Sequence, residues 1–258
     1  MKRRERKYPS DLTKKQWRLI KPLRPPAADN QKLSLRKILD AIFYINKMGC
    51  QWRYLPSEYP AWSSVNYHFN KWSKDGILKQ INIIRCQVDR QKQGRTAGPT
   101  GALIDRQRVK TSKEASAVGF DGGKGIKGHK RHIVTDTVGH LLNVVVTAAN
   151  ISDTAGGIQV LSGIQTIFAE IAKIWADGGY KEGIIIWVKE VLQAVLEVVQ
   201  REPGQKGFAV QPKRWVVERT LAWLGNYRRL SKDYERLPIN SEAMIYLASI
   251  KAMLNRIA

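Results

Sequence analysis

The sequence contains little cysteine. Cys50 and Cys86 are the only cysteines among 258 residues, and they do not form a C-x-x-C pair. A disulfide scaffold is therefore excluded, and a structural zinc site is disfavoured, because both need more or closer cysteines. The shortage is typical of a protein from a reducing compartment, so we expect a cytoplasmic location.

Long apolar runs are missing as well. The longest candidate, GIIIWVKEVLQAVLEVV, is interrupted by Lys189, Glu190 and Glu197, which excludes a membrane-spanning helix. The N-terminal stretch MKRRERKYPSDLTKKQW is basic but has no apolar core behind it, so we predict no signal peptide. No helical pattern concentrates basic residues on one face, so we do not expect a membrane partner.

Acidic residues are the third shortage. The chain has 22 of them against 44 Lys and Arg, a net charge of +22 and a pI near 10.1. Such an excess repels itself in a folded chain and indicates a polyanionic partner, with nucleic acid as the first candidate. The first 100 residues carry 22 basic and 7 acidic side chains, a net of +15, whereas the remainder carries +7. The partner is therefore expected to contact mainly the first part.

The first part of the chain shows helical patterns. Apolar residues recur at helical spacing over 10–24, over 34–49 and from Ser63 towards Ile84. Ser10 or Asp11 would cap the first helix, and Gly49 would end the second. Short helices in a basic setting predict a helix-turn-helix-like DNA-binding region over 1–95, in which Lys71 and Lys74 face DNA. In the other interpretation, the aromatic residues of the third helix are simply core.

The second part changes to a strand pattern after a polar, Gly-rich segment at 89–101, which we interpret as a linker. ALID predicts a strand, and KRHIVTDTVGHLLNVVVTAAN predicts a hairpin that turns near Gly139. Helical and strand patterns then alternate, with AKIWADGGY as a short strand that ends on Asp177. We therefore predict an α/β domain over 96–258 with a mixed sheet flanked by helices.

Three carboxylates stand out in this domain. Asp105 and Asp177 each end an apolar strand, so both lie beside one crevice if the strands are neighbours. Glu218 borders the apolar stripe of a helix. Each residue has an ordinary alternative: the aspartates as turn formers or helix caps, and Glu218 as a surface partner of Arg214 at i−4.

A convergence of three carboxylates would make a hard oxygen site suited to magnesium or manganese. With two such ions about 4 Å apart, one activates an attacking water or hydroxyl and the other stabilises the leaving oxygen of a phosphodiester. The basic surroundings fit DNA as the substrate.

Five segments in order together resemble one family. They are WRYLPSEYPAWSSVNYHFNKW, ALIDRQRVKTS, GHKRHIVTDTVGHLLNVVVTAANISDT, WADGGYKEG and PKRWVVERTLAWLGNYRRLSKDYER. The likeness is to DDE transposases of bacterial insertion sequences, in the insertion-sequence-five group, and it covers nearly the whole chain.

The resemblance implies a ribonuclease-H-like catalytic domain whose acids map to Asp105, Asp177 and Glu218. It implies metal-dependent cutting at the terminal inverted repeats of an element, followed by attack of the freed 3′-hydroxyl on target DNA. It further implies a nucleoid-associated protein that acts as a homodimer or higher assembly on DNA. Two other functions stay open: a nuclease that does not join strands, and a catalytically impaired transposase-derived DNA-binding protein.

Some positions depart from the family pattern. Around the third acid, the related insertion-sequence-four group has a Tyr, an Arg, the Glu and a Lys. Arg214 and Glu218 fit this spacing, but Gln211 stands at the Tyr position and Gly225 at the Lys position. Other cations would supply phosphate contacts, or else are solvated charges: Lys127, Lys130, Arg131, Arg214, Arg219, Arg228 and Arg229.

The flanks of Asp105 depart most. The family commonly has small residues there, whereas this chain has Arg106 and Arg108. Because side chains alternate along a strand, both arginines are predicted on the face opposite Asp105, so they need not lie at the metal site. They would be either extra DNA contacts or charges against a packed face.

Overall fold

The chain forms an α/β structure with a helical N-terminal part. The computed structural model describes residues 8–23, 33–199 and 213–257. Within these ranges a six-stranded mixed sheet carries helices on both faces. The mixed sheet predicted from the sequence is therefore confirmed.

Four helices precede the sheet: α1 (Lys14–Ile20), α2 (Leu35–Met48), α3 (Trp62–Lys74) and α4 (Ile77–Lys92). The cap of α1 is Thr13 and not Ser10 or Asp11, because the Thr13 hydroxyl accepts the Gln16 N–H while the Gln16 side chain accepts the Thr13 N–H. This reciprocal pair satisfies two amides that the helix itself leaves free. Asp11 instead accepts hydrogen bonds from Tyr59 and from the Tyr8 amide.

The third predicted helix is in fact two. It ends at Lys74, and Gly76 adopts a left-handed φ of 70° before α4 begins. Only a residue without a Cβ adopts that conformation at little cost, so the glycine turns the chain there. Because α4 runs to Lys92, the segment between helix and sheet starts later than predicted.

The sheet contains β1 (Gly101–Lys110), β2 (Gly119–Asp121), β3 (Ile126–Asp136), β4 (Leu141–Ala148), β5 (Lys173–Asp177) and β6 (Val195–Val199). Its order is β2-β3-β1-β5-β6, and β4 also pairs with β3. The β1, β3 and β4 strands are antiparallel, whereas β5 is parallel to β1 and β6 is parallel to β5. The predicted hairpin is confirmed, since β3 and β4 are joined through Gly139 at a φ of 92°.

Helices cover the two faces of the sheet. They are α5 (Asp153–Ser162), α6 (Glu182–Val191), α7 (Trp215–Leu224) and α8 (Pro238–Ile257). The face with Leu103 and Ile133 packs against α7, α8 and the N-terminal helices. The face with Ala102 and Ile104 packs against α5 and α6. This alternation along β1 decides which helices each later side chain of the strand meets.

No described helix is long and apolar enough to cross a membrane.

Candidate active site

Asp105 and Asp177 lie on neighbouring strands. Asp177 ends β5 as predicted, but the prediction that Asp105 ends its strand is wrong, because β1 continues to Lys110 through its pairing with β3. The parallel register pairs Gly101 with Lys173 and Leu103 with Trp175, and the same offset brings Asp105 beside Asp177. Both side chains leave their strands on the face of Leu103, because each lies two residues after a residue of that face. The structure thus brings together two of the three predicted acids.

Asp105 is buried, with 7% of the residue exposed to solvent. Burial raises its pKa to about 6, and the charge of Asp177 acts in the same direction. The opposing influences are weaker: the backbone N–H of Arg106 donates to Oδ1 at 2.8 Å, and the charges of Arg214 and Arg106 also favour ionisation. A carboxyl with so few partners in a buried position gains when a cation binds.

Arg106 lies at this pair, although alternation along β1 did not require it to lie there. It starts on the face of Ala102 and Ile104 as expected, and its guanidinium lies 5.2 Å from the ring of Tyr180, which belongs to the core on that face. However, the side chain is long enough to reach round the end of β5, where Nη1 donates to Asp177 Oδ1 at 2.5 Å. Alternation along the strand decides on which face a side chain begins. The length of the arginine side chain allows its charged end to reach a different site.

Arg108 belongs to a second group of charges on the same face. It pairs with Asp121 and lies 3.8 Å from Asp153, which also pairs with Arg106 and Lys130. These alternating charges hold the start of α5 against β1 and β3. Arg108 is therefore neither a free DNA contact nor a charge forced against apolar side chains.

Glu218 does not form a metal-binding group with the two aspartates. Its side chain is 46% exposed, and Oε1 accepts a hydrogen bond from Arg214 Nη2 at 3.0 Å. This is the i−4 pair that the sequence left open as the ordinary alternative. The charge of Arg214 also lowers the pKa of Asp105, so Arg214 interacts with Asp105 as well as with Glu218. Gln211, the other departure from the family signature, lies outside the described residues.

The donor set for a metal is incomplete. Within residues 8–23, 33–199 and 213–257, no three His, Cys, Asp or Glu side chains are close enough to hold a metal ion. Asp105 and Asp177 fit a divalent cation, because both offer hard oxygen ligands at one point. Glu218, held by Arg214, does not complete the set.

The nine cations predicted to bind DNA differ in exposure. Three are buried and bonded within the protein: Lys130 to Asp153 and a backbone carbonyl, Arg131 to the Leu230 carbonyl and Gln107, and Arg229 to Glu235. Their charges are already used in holding the fold. The other six are exposed or partly exposed: Lys71, Lys74, Lys127, Arg214, Arg219 and Arg228.

Besides Arg214, which pairs with Glu218, two of these six are engaged near the surface. Lys71 pairs with Asp75 at 3.2 Å, and both side chains are about half exposed, so the pair is weak. The guanidinium of Arg219 lies between the rings of Trp215 and Trp223, at 4.4 and 4.5 Å. Lys71 can therefore exchange partners readily, whereas Arg219 is held on both sides.

An open groove of about 670 Å³ gathers further lysines at the far end of β1. Its cations are Lys110, Lys113, Lys127 and Lys232. Sequence reasoning found only Lys127. The others were missed because the four lysines come from three separate segments, and no local pattern shows that these segments meet.

Comparison with known proteins gives three matches. Residues 96–251 match the family described as "Transposase DDE domain", and residues 12–82 match one described as "Putative transposase of IS4/5 family". A stretch of 117 residues is 32% identical to a "Putative transposase for insertion sequence element IS402" of Burkholderia cepacia. That match covers 42% of this chain and 54% of the relative, so the chain spans about half the length of the curated protein it matches.

Proposed function

Because the chain belongs to the transposase DDE domain family, we propose that it cuts the ends of an insertion sequence and joins them to target DNA. The resemblance to DDE transposases in the sequence is thereby confirmed. The observation that carries the chemical proposal is the pairing of Asp105 with Asp177 on parallel strands, with the Asp105 pKa raised to about 6.

We propose a ribonuclease-H-like fold for residues 96–258. Its support is the strand arrangement, in which three antiparallel strands are followed by two parallel ones on the other side of β1. We propose that residues 1–95 form the DNA-binding region. Its helices share an apolar core with α8, so the two regions pack as neighbours.

Members of this family generally use divalent metal ions. Asp105 and Asp177 would hold such an ion, with magnesium or manganese suited to their oxygens, and Glu218 would join them after release from Arg214. The bound ions would activate the attacking water or hydroxyl and stabilise the leaving oxygen. Burial of Asp105 excludes water from one side of the pair, which strengthens its electrostatic contacts.

DNA would be held by exposed cations. We assign phosphate contacts to the groove lysines, above all Lys113 and Lys127, and to the six exposed residues of the sequence prediction. Neutralising phosphates releases counterions, so binding should weaken as salt rises. Lys113→Gln with Lys127→Gln should lower the slope of log affinity against log salt by about 2, whereas Lys189→Gln on α6 should leave it unchanged. An unchanged slope in the double variant removes the groove from the interface.

The test of the chemistry uses DNA that flanks the gene. With magnesium, the full chain should cut that DNA and produce joined strands, as read on denaturing gels. Asp177→Asn should abolish both products while DNA binding stays within about twofold, since one ligand is lost but the basic surface remains. Asp121→Asn, which alters an aspartate bound to Arg108, is the matched control and should retain both products.

The same assay separates the other functions. Cutting without joined product would identify a nuclease. Binding without any cutting by the wild type would identify an impaired DNA-binding protein, a function favoured by the Arg106 contact to Asp177 and by the pairing of Glu218 with Arg214. Transposition pairs the two ends of an element, so light scattering should show a dimer or larger assembly on end DNA.

A further inference from the structure

We infer that Arg106 is an internal counter-ion of the aspartate pair, which competes with a divalent cation for Asp177. The inference rests on the proposed function and adds a residue that sets the cation affinity of that site. Nη1 of Arg106 lies 2.5 Å from Asp177 Oδ1 and 4.0 Å from Asp105 Oδ1. It therefore occupies the position between the two carboxylates that a shared cation needs.

The position of the guanidinium is built into the fold. A Cβ on Gly179 would lie 2.0 Å from Arg106 Nη2, so the absence of a side chain at 179 leaves the space that the guanidinium fills. The ring of Tyr180 supports it at 5.2 Å, and the amide of Gly179 donates to the same Asp177 oxygen at 3.1 Å. A long side chain held by an ion pair, a ring and a fitted space is well ordered.

The contact is exchangeable because Arg106 has a second partner. Its Nε lies 2.6 Å from Asp153 Oδ2, so the guanidinium stays paired when Nη1 leaves Asp177. Arginine is always charged at working pH, so a bound cation has to displace a full positive charge. The result is competition: the pair still binds a cation, but more weakly than two free aspartates would.

Arg108 offers a matched comparison. It lies two residues further on the same face of β1 and also approaches Asp153, at 3.8 Å. Its main partner, however, is Asp121, and the described contacts of Asp177 do not include it. Removing Arg108 therefore removes a similar charge and similar packing without touching the aspartate pair.

The experiment measures manganese binding to the full chain by electron paramagnetic resonance, without DNA. Arg106→Gln should tighten binding about tenfold, because the charge-assisted contact to the ligand is lost while a polar, uncharged side chain remains. Arg106→Lys keeps the charge and should bind within about threefold of wild type. Arg108→Gln should match wild type. Circular dichroism and melting curves confirm that each variant is folded.

The outcomes separate the inference from the proposed function. Tighter binding in Arg106→Gln that disappears when Asp177→Asn is added supports both. If Asp105→Asn and Asp177→Asn weaken manganese binding but Arg106→Gln leaves it unchanged or weakens it, the inference is overturned and the metal site stands. If neither aspartate variant affects binding, the metal site and the inference both fail.

Discussion

Two buried aspartates of the same sheet differ in the number of hydrogen bonds that their carboxylates accept. Asp136 ends β3 opposite Ala102, and Asp105 lies three residues further along β1. Both are nearly inaccessible to water, at 0% and 7% exposure. Their pKa values nevertheless move in opposite directions, which shows that the partners of a buried carboxylate, and not burial alone, decide its role.

Asp136 has every oxygen in use. Oδ1 accepts the backbone N–H groups of Val138 and His140, and Oδ2 accepts from Arg90 at 2.6 Å and from the His140 ring at 2.9 Å. Burial raises the pKa of Asp136, but the His140 and Arg90 hydrogen bonds outweigh it and the pKa lies below its usual value. The other ring nitrogen of His140 contacts Asp89, so the cluster ties β3 to α4.

Asp105 is poorly satisfied by comparison. Its one described hydrogen bond comes from the Arg106 amide, and its pKa rises to about 6. A carboxylate buried with few donors costs stability and gains most from an added cation. The Asp136 cluster is therefore complete without a ligand, whereas the Asp105 pair is suited to receive one.

The largest effect should come from Asp136→Asn. The new amide nitrogen would face the Arg90 guanidinium or the His140 ring, which places donor against donor and leaves Arg90 buried without a charge partner. Breaking such a pair costs about 3–5 kcal/mol, to be measured by urea unfolding. Glu197→Gln, in an exposed pair with Lys173, is the control and should cost about 0.5 kcal/mol or less.

The lowered pKa of Asp136 also predicts how the stability of the fold changes with pH. A lowered pKa means that Asp136 stabilises the fold above its unfolded value of 3.8 and that this contribution is lost as pH falls through the lower folded value. The variant should therefore show a shallower loss of stability in acid. A variant as stable as wild type at pH 7 would contradict the structural role of the cluster.

A smaller effect of opposite sign is expected for Asp105→Asn. Because the folded pKa is raised, wild-type stability falls as pH rises from 3.8 through about 6. Asparagine keeps the acceptor for the Arg106 amide but has no charge to bury. The variant should therefore be about 1–3 kcal/mol more stable than wild type at pH 8 and nearly equal at pH 3, as measured by urea unfolding. Loss of stability at pH 8 would show that Asp105 is as well satisfied as Asp136.

The smallest effect should follow from Arg256→Gln. Its guanidinium lies 3.5 Å from Asp89 at the edge of the His140 cluster and is 38% exposed. Exposed pairs contribute about 0.2–1 kcal/mol, so the melting temperature should change little. A loss as large as that of Asp136→Asn would mean that the cluster extends to α8 as one unit.

Most of the fold was predictable because its signals are local. Gly49 ends α2, Gly139 turns the hairpin, and the strand before Asp177 ends where predicted. The errors were also local: Thr13 replaced the expected cap, and Gly76 divided a predicted helix. At the first helix, Thr13 forms the capping pair with Gln16, while Asp11 is bonded to Tyr59 and Tyr8. At Gly76, a left-handed turn interrupts an apolar spacing that continues on both sides of it.

In the candidate site, too, some features follow from the local sequence and others depend on tertiary contacts. By itself, the sequence determined the family, the mixed sheet and the end of β5 at Asp177, because periodicity and motif order are properties of the chain. Only the tertiary structure decided that Arg106 reaches Asp177, that Glu218 pairs with Arg214, and that Lys130, Arg131 and Arg229 are buried. These contacts depend on which segments, far apart in the sequence, meet around a long side chain. The free energy of a charged group is set by the partners and the burial that those segments provide.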